Sequence, residues 1–324
     1  MKSMSGFRLA TVAASLLILS PSLARAQETW PNKRIAFVVG FAAGGFADTV
    51  GRIIAGKVSE RLGQPIIMQN MEGAGGNTAA RHVTMQPADG YTFLVTTTGL
   101  AINETLLRNR QFSATAFRPM AIPVIAPELM VTSKQSGLKS MADLLAAAKE
   151  NHAFMGTPGI GSGSHIAAEY FFKKLAKVDV KHIPFQGGAP AMQALRTGDI
   201  NLLAATATQP ALPPVVSGEM LGLAVASNER DPALPNTPTF AELGFPGMIA
   251  NSWTGIFARA ETPEPIVKRM NQEINEAMKD PDVRKKIDTL GLLISQRSAE
   301  ESNAFFKEEI ARWASMVEAT GLSM

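Results

Sequence analysis

Residues 34–63 read RIAFVVGFAAGGFADTVGRIIAGKVSERLG. Arg34–Val39 is a short apolar run containing β-branched residues, the mark of a buried strand, and Gly40–Gly45 is a glycine-rich turn. After it Val50, Ile53, Ile54, Val58 and Leu62 recur at helical spacing until Gly63 ends the run. Strand, tight turn and helix form the opening unit of an α/β layer, and the same unit recurs downstream. Pro65–Gln69 reads as a strand, Gly73–Gly76 as a second glycine turn leading into a helix through Met85, and Tyr91–Thr96 as a third strand. Short connections between such units predict a mostly parallel sheet covered on both faces.

The alternation continues with strands at Leu129–Thr132, Ala153–Gly156, Val180–Ile183, Ile200–Ala204 and Leu221–Ala226, and helices at Ser140–Glu150 and Ser164–Leu175. Asp231–Pro246 is proline-rich and reads as a long irregular loop. Near the C-terminus Ile266, Val267, Met270, Ile274, Ala277 and Met278 form an amphipathic stripe. Ser298-Ala299-Glu300-Glu301 is a capping box that opens a helix with Phe305, Phe306, Ile310, Trp313 and Val317 on one face.

The first 26 residues carry Lys2, Arg8 and Arg25 and no acidic group, an apolar run from Leu9 to Leu19, and Ala24-Arg25-Ala26 before Gln27. Together these predict a secretory signal peptide cleaved after Ala26, since the run is too short for the ~20 residues a spanning helix needs. Its removal takes three of the 31 basic residues and none of the 28 acidic ones, so the mature chain is formally neutral. A nucleic-acid partner is not expected without a basic excess, nor is membrane insertion after processing. The chain has no Cys, which excludes disulfides, thiolate nucleophiles and Cys-ligated metal. With 324 residues, 46% of them apolar and 18% charged, it is long enough for two folded units.

Three turns stand between a strand and a helix: Gly40–Asp48, Gly73–Asn77 and Thr157–His165. In open α/β sheets ligands sit at the carboxyl ends of strands, and a helix N-terminus offers free N–H groups to an anion. No nucleotide or hydrolase signature is complete. Phe46 and Ala47 stand where a P-loop needs Lys and Ser/Thr, Thr78 breaks a G-x-G-x-x-G, and Gly161-Ser162-Gly163-Ser164-His165 is not G-x-S-x-G. His82, His152, His165 and His182 form no metal-binding spacing, and neither metal nor cofactor is expected.

These motifs, in this order, resemble the substrate-binding proteins of tripartite tricarboxylate transporters, the TctC-like or Bug family of periplasmic receptors. The resemblance runs from about Trp30 to the C-terminus. It is carried by Trp30-Pro31-x-Lys33-x-Ile35, Val39–Asp48, Leu62–Pro65, Glu72–Asn77, Pro87–Thr92, Gly161–His165, His182–Ala191 and Leu234–Thr239. The family implies a two-lobed clamshell, each lobe a mostly parallel sheet flanked by helices. Residues 27–128 plus 253–324 would form lobe 1 and residues 129–252 lobe 2, with a hinge near Leu129 and Trp253 that closes on the ligand.

The implied ligand is a small organic carboxylate, delivered in the periplasm to transporter membrane subunits, without catalysis. The rival readings are a periplasmic enzyme acting on small carboxylic acids and an orphan or sensor receptor with the same cleft. The candidate ligand-binding residues are Phe41, Gly44, Gly45, Phe46, Asp48, Thr157, Gly161, Ser162, Ser164, His165, Gln186, Gly187, Thr206 and Thr208. Ser162, Ser164 and the backbone of Gly44–Phe46 are expected to hold one carboxylate, with Thr206 and Thr208 facing the rest of the ligand. Asp48 would accept hydrogen bonds from the first turn or orient a bridging water. Gly40 and Ala43 replace the family's usual prolines, and Phe46 stands where a small residue is common. The stretch Ala204–Gln209 lacks an Asp found in some relatives, and no Lys or Arg falls in the matched loops that would hold the anion.

Overall fold

The computed structural model describes residues 30–324 apart from 110, 186 and 209. The expected signal peptide and its cleavage point lie outside the described residues. The opening unit forms as read: β1 (Ile35–Val39), then α1 (Phe46–Leu62), closed by Gly63 in the left-handed conformation. Ile35, Phe37, Val38 and Val39 are fully buried, which is why the run is continuously apolar and not alternating. The chain continues through β2 (Ile66–Asn70), α2 (Asn77–Thr84), β3 (Thr92–Thr97) and α3 (Gly99–Leu106). Then come β4 (Phe117–Ser133), α4 (Met141–Lys149), β5 (Phe154–Thr157), α5 (Gly163–Tyr170), β6 (Lys181–Pro184) and α6 (Gly188–Thr197). The rest is β7 (Leu202–Thr206), α7 (Leu212–Val216), β8 (Met220–Val225), β9 (Asn251–Arg259), α8 (Glu264–Ala277), α9 (Pro281–Thr289), β10 (Leu293–Ile294) and α10 (Ala299–Thr320). Phe171–Ala176 prolongs α5 as a π turn, so the helix expected over Ser164–Leu175 is present in two forms.

The strands form one continuous sheet in the order β2-β1-β3-β9-β4-β7-β5-β6, with β8 and β10 also paired to β4. The α/β class is as expected, and parallel pairing holds at both outer parts, β2-β1-β3 and β7-β5-β6. The middle differs. β9 runs antiparallel to β3 and β4, and β4 is antiparallel to β7, β8 and β10. β9 follows a long irregular segment, so no short crossover helix imposes parallel direction on it.

β4 is 17 residues long, whereas sequence reading marks only its last part. Pro119, Pro123 and Pro127 hide the rest, because proline removes a ladder donor and argues against a central strand. The fold admits them by shifting register at Pro119/Ala121 and Ala121/Val124, and by using Pro123 and Pro127 as acceptors for Ser295 and Ala207. β4 thus carries the chain from one parallel group to the other.

α10 opens on the expected capping box between Ser298 and Glu301. It packs on α3, β4 and α5, burying Phe306, Trp313, Met316 and Val317. The largest core cluster therefore holds residues from both outer groups, Leu94 and Leu100 as well as Ile166 and Leu202. Trp253 and Trp313 both donate their indole N–H to Glu309 at 3.0 Å, tying β9 to α10. Among the described residues no helix is long and apolar enough to cross a membrane.

Candidate functional site

The turn after β1 is shaped from below. Gly40 donates to Val95 at 3.3 Å, and a Cβ on it would stand 2.8 Å from the Gly76 Cα. Glycine is therefore required where the β1 turn and the turn before α2 touch. A proline at position 40 would forfeit the bond to Val95. Gly44 has φ of +78°, and Gly45 supplies no side-chain cap to α1. The N–H groups of Phe46 and Ala47 consequently find no acceptor among the described residues.

Asp48 is 1% exposed and takes hydrogen bonds from Gly44 N–H (2.8 Å), Arg52 Nε (2.8 Å) and Asn70 Nδ2 (2.9 Å). Asn70 also donates to the Phe41 carbonyl at 2.9 Å, so one acid and one amide clamp both ends of the turn. Burial works to raise the Asp48 carboxyl, but the bonds from Arg52, Gly44 and Asn70 outweigh it and hold it at about 2. Phe41 and Phe46 are half-buried and rest on the core beneath the turn, the Phe41 ring covering Gly76.

The turn after β5 is held by two histidines. Thr157 is fully buried, its hydroxyl 2.7 Å from His182 Nε2. Gly161 N–H donates to His165 Nδ1 at 3.1 Å, and the His165 and His182 rings stack with centroids 4.1 Å apart. Burial, then the charges of His182 and Lys173, lower His165 to about 4. It is neutral near pH 7 and keeps Nδ1 as an acceptor. Ser162 caps α5, accepting from His165 N–H and donating to the Gly159 carbonyl at 2.8 Å. Ser164 is 3% exposed and donates to Glu128 Oε2 at 2.6 Å. Both serine hydroxyls are thus committed within the protein. The N–H groups of Gly163 and Ser164 have no acceptor among the described residues.

Thr206 ends β7 half-buried, opposite Glu128 of β4, and Thr208 is buried just beyond it. Gly187, with φ of +114°, introduces α6, while Gln186 lies outside the described residues. The candidate residues therefore form two groups, Phe41–Asp48 beside β1 and Thr157–His165 with Thr206 around β5 and β7. No hydrogen bond or ion pair joins the two groups among the described residues.

Sequence reading missed four participants. Arg52 acts through Asp48, and Asn70 through Asp48 and the Phe41 carbonyl. Asn77 is 8% exposed and its Nδ2 has no partner among the described residues, while the Glu72–Asn77 motif assigns it no role. Glu128 sat inside the proline-masked strand. The structure also gathers His165, Glu169 and His182, whose ligating atoms lie within 4.8 Å of one another, a cluster that spacing did not reveal. Their donors are committed: the single lone pair of neutral His165 takes Gly161 N–H, Thr157 holds His182, and Lys173 holds Glu169 at 2.7 Å. The cluster braces a loop. No nucleophile–base–orienter set is formed by Ser162, Ser164 and His165, because His165 Nδ1 faces a backbone donor and neither serine faces the ring.

Residues 50–322 match the model of the tripartite tricarboxylate transporter family receptor. A protein of Pseudomonas sp. strain P51, encoded in the tcbD-tcbE intergenic region, is 31% identical over 312 residues, covering 94% of this chain and 92% of that one. Among solved structures, MatC of Rhodopseudomonas palustris with bound malate is 34% identical with a TM-score of 0.78, covering 89% of this chain and all (100%) of that one. R. palustris Rpa4515 with adipate is 31% identical with a TM-score of 0.80, over 91% and 99% of the two chains. The family model spans most of the chain, and the relatives and solved structures agree with it. The chain belongs to the tripartite tricarboxylate transporter family of receptors, periplasmic solute-binding proteins and not enzymes.

Proposed function

We propose that this receptor captures a small organic carboxylate in the periplasm and delivers it to transporter membrane subunits, after cleavage between Ala26 and Gln27. The ligand lies in a cleft between residues 27–128 plus 253–324 on one side and 129–252 on the other, and the two sides close on it about β4 and β9. One observation carries the reading: α1 and α5 both begin at the carboxyl end of a parallel strand with backbone N–H groups left over. Such ends carry about half a positive charge and suit a carboxylate. Malate and adipate in the related structures support the same ligand class.

In this reading the Gly44–Phe46 turn presents the N–H groups of Phe46 and Ala47 as the first set of donors, those of Gly44 and Gly45 being taken by Asp48 and the Ala42 carbonyl, with Phe41 and Asp48 beneath them. Thr157, Gly161, Ser162, Ser164 and His165 shape the second turn, whose own donors are the N–H groups of Gly163 and Ser164. Thr206 and Thr208 face the remainder of the ligand, and Gly187, with Gln186 from the sequence motif, completes the candidate set. A thermal-shift screen of the mature protein against mono-, di- and tricarboxylates and aromatic acids tests this. An acid at a hundred times its dissociation constant adds about 2.7 kcal/mol of stability. No shift with any acid, alongside a shift with neutral or cationic solutes, would refute the carboxylate reading.

A further inference from the structure

Glu128 is used by nothing described above except as an acceptor. It is 4% exposed and lies on β4 where the chain passes between the two parallel groups. Oε2 accepts from Ser164 on α5 and Oε1 from Ser252 on β9, each at 2.6 Å. A Cβ on Gly163 would stand 2.9 Å from both Glu128 Oε1 and the Ser252 hydroxyl. One carboxyl therefore joins both crossing strands to the first turn of the helix whose N–H groups are open. Ala167, Ala168, Phe240 and Met248 line the space beside it, and Thr206 stands opposite it on β7.

Among the described residues no cation neutralises it. The charged groups on the elements packed around Glu128 are engaged elsewhere: His165 with Gly161 and His182, Glu169 with Lys173, and Glu309 with two indoles and Arg312. Arg118 and Arg259, at the far ends of β4 and β9, pair with Glu264 and Glu261, and Glu242 of the following loop pairs with Arg230. β7 and β8 contribute no titratable side chain.

The two protonation states differ in what they offer. Ionised, the carboxylate accepts one hydroxyl proton on each oxygen. Protonated, one oxygen becomes a donor and the serine facing it must turn its own proton elsewhere. Ser164 is sealed in the core, whereas Ser252 is half-buried and has room to turn. An anion at Gly163 and Ser164 N–H would set a negative charge beside an uncompensated buried one. Like charges at close range in a poorly solvated place favour a proton on one of them.

We propose that Glu128 takes up a proton when an anionic ligand binds at the α5 N-terminus, so that capture is proton-linked and releases the Ser252 hydroxyl as a further donor. This rests on the carboxylate reading above. Burial, only partly offset by the two serine hydroxyls, raises Glu128 to about 7, which places the uptake near neutrality.

Isothermal titration of the mature protein with malate and with adipate, at pH 7.5 in phosphate and in Tris, reads the proton directly. The wild type should show enthalpies that differ between buffers by a fraction of a proton up to one per ligand, and Glu128→Gln should show no difference. As a second measurement, wild-type affinity should weaken, by up to about tenfold per pH unit, as pH rises from 7 to 8.5 while the ligands stay fully ionised. This needs no variant and holds even if Glu128→Gln does not fold. Binding with equal enthalpies and a flat pH profile would overturn the proton linkage and leave the carboxylate reading standing. Absence of binding by every carboxylate tried would overturn both.

Discussion

Replacing Asp48 with Asn tests whether the turn after β1 is held from below by a charge. The carboxylate gathers three donors, Gly44 N–H, Arg52 Nε and Asn70 Nδ2, at 2.8, 2.8 and 2.9 Å. An Asn accepts on one oxygen only and turns an NH2 toward a donor. Burial pushes this carboxyl up, yet the bonds from Arg52, Gly44 and Asn70 bring it from 3.8 down to about 2. At about 1.36 kcal/mol per pKa unit that is about 2.5 kcal/mol. The Arg52 side chain is 51% exposed, so solvent screening reduces the figure to about 1–2 kcal/mol. A carboxylate with a depressed pKa stabilises the fold fully above its unfolded value and loses that effect as pH falls through its folded value. Urea unfolding should therefore show Asp48→Asn less stable than wild type by about 1–2 kcal/mol at pH 6, with a smaller difference at pH 3. Carboxylate affinity should fall as well, since Gly44–Phe46 would lose its fixed shape. A variant as stable as wild type at pH 6, or a difference unchanged at pH 3, would refute the argument.

Two more substitutions probe the same scaffold. His165→Gln should remove an acid-sensitive contribution. The unfolded chain gains a proton below 6.5 while the folded one waits until about 4, so wild-type stability loses about 3 kcal/mol to this residue as pH falls across that window. Glu128 acts with opposite sign between 4.5 and about 7, so the difference between wild type and variant is the quantity to read, by denaturation at several pH values. Gly40→Ala should destabilise by about 1–3 kcal/mol, because its Cβ would meet the Gly76 backbone at 2.8 Å and no side chain is there to yield. A melting temperature unchanged in that variant would show that the two glycine turns can part without cost.

Much of the fold could be read from local pattern, and where it could not the cause is specific. The strand-turn-helix unit at 34–63 declares itself because β1 is buried on both faces and Gly63 ends the helix in the one conformation that favours glycine. The capping box at Ser298 and Glu301 is complete within four residues. β4 fails the same test, since its prolines are tolerated through register shifts and carbonyl acceptors that involve segments distant in sequence. The site follows the same division. Its backbone donors follow from glycine turns that open helices. Its side-chain partners do not: Ser164 reads as an anion donor until the fold brings Glu128, 36 positions earlier, to 2.6 Å from its hydroxyl. Likewise His165 reads as a ligand contact until His182 and Gly161 close around its ring.

These partnerships have a common consequence for charge. Asp48 is ionised but spent on Arg52, His165 is held neutral, and Glu128 lies near the midpoint of its titration at neutral pH. Asp48 and His165 thereby impose no free charge on the two turns, Glu128 imposes only a partial one, and on the proposed binding mode the attractive field for an anion is that of the α1 and α5 N-termini. An arginine fork would prefer one planar geometry of carboxylate, whereas backbone N–H groups on glycine turns accept a carboxylate with fewer demands on what is attached to it. On the proposed binding mode, discrimination among acids comes from the walls, where Thr206 and Thr208 differ in size and polarity from the donors themselves. It follows that exchanging wall residues should change which acid is preferred, while changes under the turns, at Asp48 or His165, should weaken all acids together.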